Sequence, residues 1–152
     1  MMKNNERCEY DPKKIFDDGD AFWLAAGRCQ ESREKSNGEF DFLAVPTIVS
    51  LSFSAELFIK SLLQKRGLLH EREGHDLKKL FQKLPDEIKN DVMEGKDEDS
   101  FMKILEPHAL TFQHWRYFYE SEKLSASLCF LKEFADKLRT IAIRELDIKK
   151  DE

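Results

Sequence analysis

Apolar residues recur along most of this chain at helical rather than strand spacing. Phe22, Trp23, Ala26 and Cys29 follow one another at spacings of one, three and three, and a turn of about 3.6 residues brings them to one side of a helix. Asp20 has the short acceptor side chain of an N-cap, and Asn37 with Gly38 supplies a stop. The next segment, "PTIVSLSFSAELFIKSLLQKRG", is apolar around nearly its whole circumference, through Ile48, Val49, Leu51, Phe53, Leu57, Phe58, Ile59, Leu62 and Leu63. A helix of that kind belongs at the centre of a bundle. Pro46 fits its first turn, where a missing N–H is harmless, and Gly67 its end, so the pattern predicts a helix over Thr47–Arg66.

Shorter elements follow. Asp76 caps "LKKLFQKL", whose Leu77, Leu80, Phe81 and Leu84 share a face, and Pro85 closes it. A brief helix is predicted around Ile88 and Val92, and another from a Ser100 cap to Leu105, after which Pro107 interrupts. From about Ser121 to Asp147, Leu124, Leu128, Leu131, Ala135, Leu138 and Ala142 alternate between spacings of four and three, a seam for lengthwise packing. Period-2 alternation is nearly absent, with "FDFLAV" the one strand candidate. The expectation is an all-α, antiparallel up-and-down bundle of four main helices with short connecting helices.

The chain has 152 residues with 41% hydrophobic content, which suits one packed domain. Residues 1–14 read as a flexible segment, 15–147 as the domain and 148–152 as a frayed tail. Three scattered cysteines, Cys8, Cys29 and Cys129, show neither CxxC nor metal-ligand spacing and read as reduced thiols. No signal-like N-terminal run is visible, and no unbroken apolar run approaches the ~18 residues of a membrane span. A soluble, cytoplasmic protein without a membrane partner is expected.

Charge refines this. The net charge is -5, yet Lys60 to Lys83 holds seven basic residues against three acids, and Asp86 to Asp99 seven acids against two lysines. Such asymmetry is the ordinary solvation of two helix faces, or a local basic groove on an acidic molecule. The four histidines form no HExxH pair and the glycines no phosphate-cradling loop, so neither a metal site nor a cofactor is expected.

The candidate chemistry is a set of ionisable residues on helical segments. Glu56 and Lys60 are i, i+4 neighbours on the apolar helix, and a buried carboxylate there needs partners. His75 and Asp76 lie at a helix start, and "FQHWRYFYE" brings His114, Arg116 and Glu120 among Trp115, Tyr117 and Tyr119. Glu56, Lys60, His75, Asp76, Arg116 and Glu120 can form one network that either fastens the bundle or holds a ligand, with the aromatics as stacking or interface surfaces.

"SAELFIKSLL", "GHDLKKLFQKLP" and "FQHWRYFYE", in this order and followed by a long helix, resemble the HEPN superfamily of nucleotide-binding helical bundles over roughly residues 15–146. The resemblance implies an up-and-down bundle, a homodimer, and association with RNA cleavage, nucleotide binding, toxin–antitoxin modules or phage defence. Its catalytic members carry an Arg followed after four to six residues by a His. Here Arg66 precedes His70 by three intervening residues and His75 by eight, Arg72 precedes His75 by two, and His114 comes before Arg116. The catalytic residues of the family therefore do not carry over. The leading expectation is a non-catalytic module that binds a nucleotide, RNA or a protein partner, as an accessory of a toxin–antitoxin or phage-defence system. Two alternatives stay open: a divergent metal-independent ribonuclease using His114 or His75 with Arg116, and a dimeric helical scaffold.

Overall fold

The computed structural model describes residues 10–41, 43–70, 72–110 and 128–149. Its elements are α1 (Pro12–Cys29), β1 (Arg33–Glu34), β2 (Phe40–Asp41), α2 (Ala44–Lys65), α3 (Leu77–Gln82), α4 (Asp86–Met93), α5 (Glu98–Leu105), a 3-10 turn (Glu106–His108) and α6 (Leu128–Glu145). The fold is an all-α bundle, as the apolar periodicity predicts. The segment "FQHWRYFYE" and Leu124 lie outside the described residues.

The central helix is α2. Ile48, Leu51, Ala55, Phe58, Ile59, Leu62 and Leu63 are all buried, each large side chain contributing roughly 1.5–3 kcal/mol by leaving water. By length and mean hydropathy alone α2 passes as a membrane span, but 61% of the window concerned is buried inside the fold. It is a core helix. At its end Gly67 adopts φ +68, a left-handed conformation that suits glycine at a helix stop.

Helix α1 lies along α2. The Gln64 side-chain amide donates to the Tyr10 carbonyl at 2.8 Å, which places the end of α2 by the start of α1 and makes the two antiparallel. At Gly19 the backbones come close: an added Cβ would stand 3.0 Å from Phe58 Cδ1 and 3.1 Å from Leu57 Cβ. Phe16 packs its ring on Phe58 one turn earlier. The third long helix, α6, buries Leu131, Phe134, Ala135, Leu138, Ile141 and Ala142, while Phe81, Phe101, Phe130 and Phe134 form an aromatic cluster joining α3, α5 and α6.

Several element boundaries differ from the expectation. Helix α1 begins at Pro12 with Asp11 as its cap, accepting from the Lys13 amide at 2.9 Å. Asp20 lies in mid-helix, bound to Arg139. Asn37 and Gly38 do not end α1, which stops at Cys29; they turn a short antiparallel hairpin in which Arg33 pairs with Asp41 and Glu34 with Phe40. Helix α2 starts at Ala44, three residues ahead of Thr47, so that Pro46 still lies in its first turn. Helix α3 stops at Gln82 with Lys83 as its C-cap, before Leu84, and Pro85 serves instead as the N-cap residue of α4. Asp97, not Ser100, caps α5 and accepts from the Ser100 amide at 3.2 Å.

Candidate functional site

Glu56 is 1% exposed, in the middle of a helix packed on several sides. An ionised carboxylate there is tolerated only with partners, because burial strips away its water. It has two. Lys60, one turn on, places Nζ 3.3 Å from Oε2, and His75 from the loop before α3 places Nδ1 3.0 Å from Oε1 and 3.1 Å from Oε2. With its proton on Nδ1, the imidazole donates to the carboxylate, which orients the ring and fixes its tautomer. The carboxylate thus ties the core helix to the approach of α3.

The residue after His75 secures that approach from the other side. Asp76 accepts from the Lys79 amide at 3.1 Å as N-cap of α3, and the Leu77 amide donates to the Ala109 carbonyl at 2.9 Å. "GHDL" therefore does two jobs in adjacent residues: His75 reaches into α2 and Asp76 caps the helix that follows. Asp76 also borders an open depression of about 460 Å³ bounded by Lys78, Lys79, Gln82 and Glu106. Lys78 pairs with Glu106 at 3.5 Å, while Lys79 has no carboxylate partner among the described residues.

One turn before Glu56 on the same face of α2, the Ser52 hydroxyl is buried and without a hydrogen-bond partner among the described residues. Ser52, Glu56 and Lys60 form a polar line along an otherwise apolar helix. Of the sequence-predicted set, the structure brings together Glu56, Lys60 and His75, with Asp76 beside them. Arg116, Glu120, His114, Trp115, Tyr117 and Tyr119 lie outside the described residues. Among the described residues no three His, Cys, Asp or Glu side chains gather as for a metal.

A second polar cluster escaped the sequence reading. Arg139 on α6 donates from Nε to Asp20 Oδ1 at 2.6 Å and lies 4.1 Å above the Trp23 ring. The Trp23 indole N–H donates to Asp136 Oδ1 at 2.7 Å, and Lys132 pairs with Asp136 at 3.6 Å. Trp23 and Asp136 are 113 residues apart and Asp20 and Arg139 119, beyond any local rule. The one signal was that a packed Trp needs an acceptor for its N–H.

His108 is a buried histidine, 2% exposed, its ring tilted against Phe130 with Nδ1 3.0 Å from the Ile104 carbonyl. Burial pushes its pKa below the usual histidine value, against the opposing pull of that carbonyl.

A family model described as HEPN domain matches residues 47–144, which run from the first turn of α2 to the end of α6 and include Glu56, Lys60, His75 and Asp76. No curated protein and no solved structure matches the chain.

Proposed function

The chain belongs to the HEPN domain family, and from that premise we propose that it is a non-catalytic module binding the phosphate groups of a nucleotide or RNA. The observation that carries this reading is the buried Glu56 holding Lys60 and His75 in fixed positions. A carboxylate used in this way lowers the entropy lost when the two donors engage an anion. Lys60 spends one of its three N–H donors on Glu56. The depression beside Asp76, with Lys78 and Lys79 on its rim, has the volume of a small-ligand site.

Binding is favoured over cleavage by what the chain lacks. Cleavage next to a 2′-hydroxyl requires a base, an acid and a cation for the phosphorane charge. The Arg-to-His spacing of the catalytic relatives is absent from this sequence. Among the described residues, the Glu56–His75 pair is the arrangement that favours the divergent ribonuclease, since a carboxylate-oriented imidazole is a serviceable base. We take the module to act in the cytoplasm, where its scattered cysteines would stay reduced, and, on the strength of the family resemblance, as a homodimer and an accessory of a toxin–antitoxin or phage-defence system.

The test is titration of fluorescein-labelled single-stranded RNA and a fluorescent ATP analogue with wild type, Lys60→Met and His75→Ala, without added metal, with intact RNA followed on a gel. Binding without cleavage, weakened about tenfold or more in the folded variants, is the expected result. RNA cleaved by wild type but not by His75→Ala would replace this reading with the ribonuclease. Binding unchanged in both variants would make the Glu56 cluster a fastening of the bundle alone.

A further inference from the structure

The turn of the β1–β2 hairpin carries a chemically reactive pair of residues that the phosphate site does not use. Ser36, Asn37 and Gly38 form a three-residue loop: the Gly38 amide donates to the Lys35 carbonyl at 3.0 Å and the Lys35 amide to the Glu39 carbonyl at 2.6 Å. Gly38 takes φ +84, the left-handed third position that such a loop requires. The Asn37 side chain is held at both ends by one neighbour. Its Oδ1 accepts from the Glu39 amide at 3.0 Å, and its Nδ2 donates to Glu39 Oε2 at 3.2 Å.

This arrangement bears on the amide carbon Cγ between those two atoms. The Gly38 backbone nitrogen belongs to the next residue and reaches Cγ by closing a five-membered ring, so the attack is intramolecular. The Glu39 N–H on Oδ1 stands where negative charge gathers as the carbonyl is attacked. Gly38 has no Cβ to obstruct the approach, and even an added one would meet nothing within 4 Å. Residues 31–39 are all exposed, so water has access to the ring once it forms. One obstacle remains, the hydrogen bond from the Gly38 amide to Lys35. It is a weak one: each strand has only two residues, a hairpin of that size is marginal in water, and its opening costs little.

We propose that Asn37–Gly38 is a self-modifying site, at which Asn37 becomes aspartate and isoaspartate without an enzyme, and that the conversion opens the hairpin. The Gly38 nitrogen bonds to Asn37 Cγ, the Cγ–Nδ2 bond breaks, and Nδ2 leaves as ammonia, taking up the proton that the Gly38 amide gives up. Water then opens the succinimide. Addition at Cγ breaks its bond to the Gly38 nitrogen and leaves aspartate; addition at the main-chain carbonyl breaks that bond instead and leaves the chain running through Cγ as isoaspartate. Both products replace the Nδ2 donor with a carboxylate beside that of Glu39, exchanging a hydrogen bond for repulsion. Isoaspartate also adds one carbon to the main chain of a loop whose length sets the pairing of Arg33 with Asp41 and Glu34 with Phe40.

Asn90 is the internal comparison. It is exposed as well, but it lies within α4 and is followed by Asp91, which has a side chain. The full chain is aged in mildly alkaline buffer and mapped by peptide mass spectrometry, while methylation by a protein isoaspartate methyltransferase counts isoaspartate. We expect Asn37 to convert at least about tenfold faster than Asn90, with both products present, and no conversion at this position in Asn37→Gln, whose amide cannot close the five-membered ring. Amide hydrogen exchange at Lys35 and Gly38 should accelerate in the aged protein and in Asn37→Asp, with α1 and α2 unchanged. Conversion at Asn37 no faster than at Asn90, or aspartate formed without isoaspartate, would overturn the ring chemistry. Unchanged exchange at Lys35 and Gly38 after conversion would overturn the opening of the hairpin.

Discussion

Glu56 is buried almost completely, whereas its partners are not: Lys60 retains 15% and His75 43% of its side-chain exposure. Removing a partner therefore leaves a charge stranded, while removing the carboxylate leaves groups that reach water. Lys60→Met, which keeps the aliphatic stem, should destabilise by about 3 kcal/mol, the range for breaking a buried pair from one side. Adding Glu56→Leu to it should restore much of the loss, since a buried pair replaced by apolar residues is often near neutral. Urea denaturation of the single and double variants measures this, and strictly additive losses would sink the argument. The two α1 glycines give a second pair of opposite expectations. Gly19→Ala sets a methyl 3.0 Å from the fully buried Phe58 and should cost about 1–3 kcal/mol as overpacking. Gly27→Ala enters open space and should stabilise by up to about 1 kcal/mol. A shared sign in thermal melts would contradict the packing described.

At the scale of elements, the 3-10 turn joins two parts of the fold through His108 and the Ala109 carbonyl, which receives the first amide of α3. The pKa of His108 is lowered in the folded protein by burial, so below the ordinary value of 6.5 the unfolded chain binds more protons at this position than the folded one. Stability then rises with pH through that region: the His108 contribution is complete above about 6.5 and is lost as pH falls through the lowered folded value. We expect urea midpoints to drop between pH 7 and pH 5, with a shallower slope in a folded His108→Gln variant; parallel slopes would exclude His108 as the cause.

The same scale shows what was legible in the sequence. Helix α2 could be read because its burial is nearly all-round, and α3 because Asp76 and the Leu77–Leu80–Phe81–Leu84 face are local signals. The start of α1 was misplaced because Asp11 followed by Pro12 is also a helix entry, and Asp20 was available for either a cap or a distant ion pair; Arg139 decided between them. Likewise Asn37–Gly38 serves a helix stop or a hairpin turn, and only pairing of Arg33 with Asp41 distinguishes the two. Of the candidate site, the i, i+4 contact of Glu56 with Lys60 was readable from spacing; the need of a buried carboxylate for further company was readable too, but it pointed to Arg116, outside the described residues, and did not single out His75 from the wider network. The Trp23 cluster was not, because every one of its partners comes from the far end of the chain.

For the molecule as a whole, that cluster has a mechanical meaning. Helix α2 packs extensively on both α1 and α6, but α1 and α6 meet over a much smaller area, where Asp20, Trp23, Asp136 and Arg139 are linked in one chain of contacts. Asp20 and Arg139 retain about a quarter of their side-chain exposure, so the pair falls between a surface ion pair and a buried one. A double-mutant cycle with Asp20→Ala and Arg139→Ala should give a coupling of about 1 kcal/mol, at the upper end for exposed pairs. Arg139→Lys separates charge from shape: lysine keeps the positive charge but loses the planar face over Trp23 and the directed N–H to Asp20. If geometry closes this contact, Arg139→Lys behaves like Arg139→Ala, and native-state hydrogen exchange shows earlier opening of α1 with α2 and α6 unchanged. If Arg139→Lys keeps wild-type protection in α1, the charge alone suffices and stacking contributes nothing.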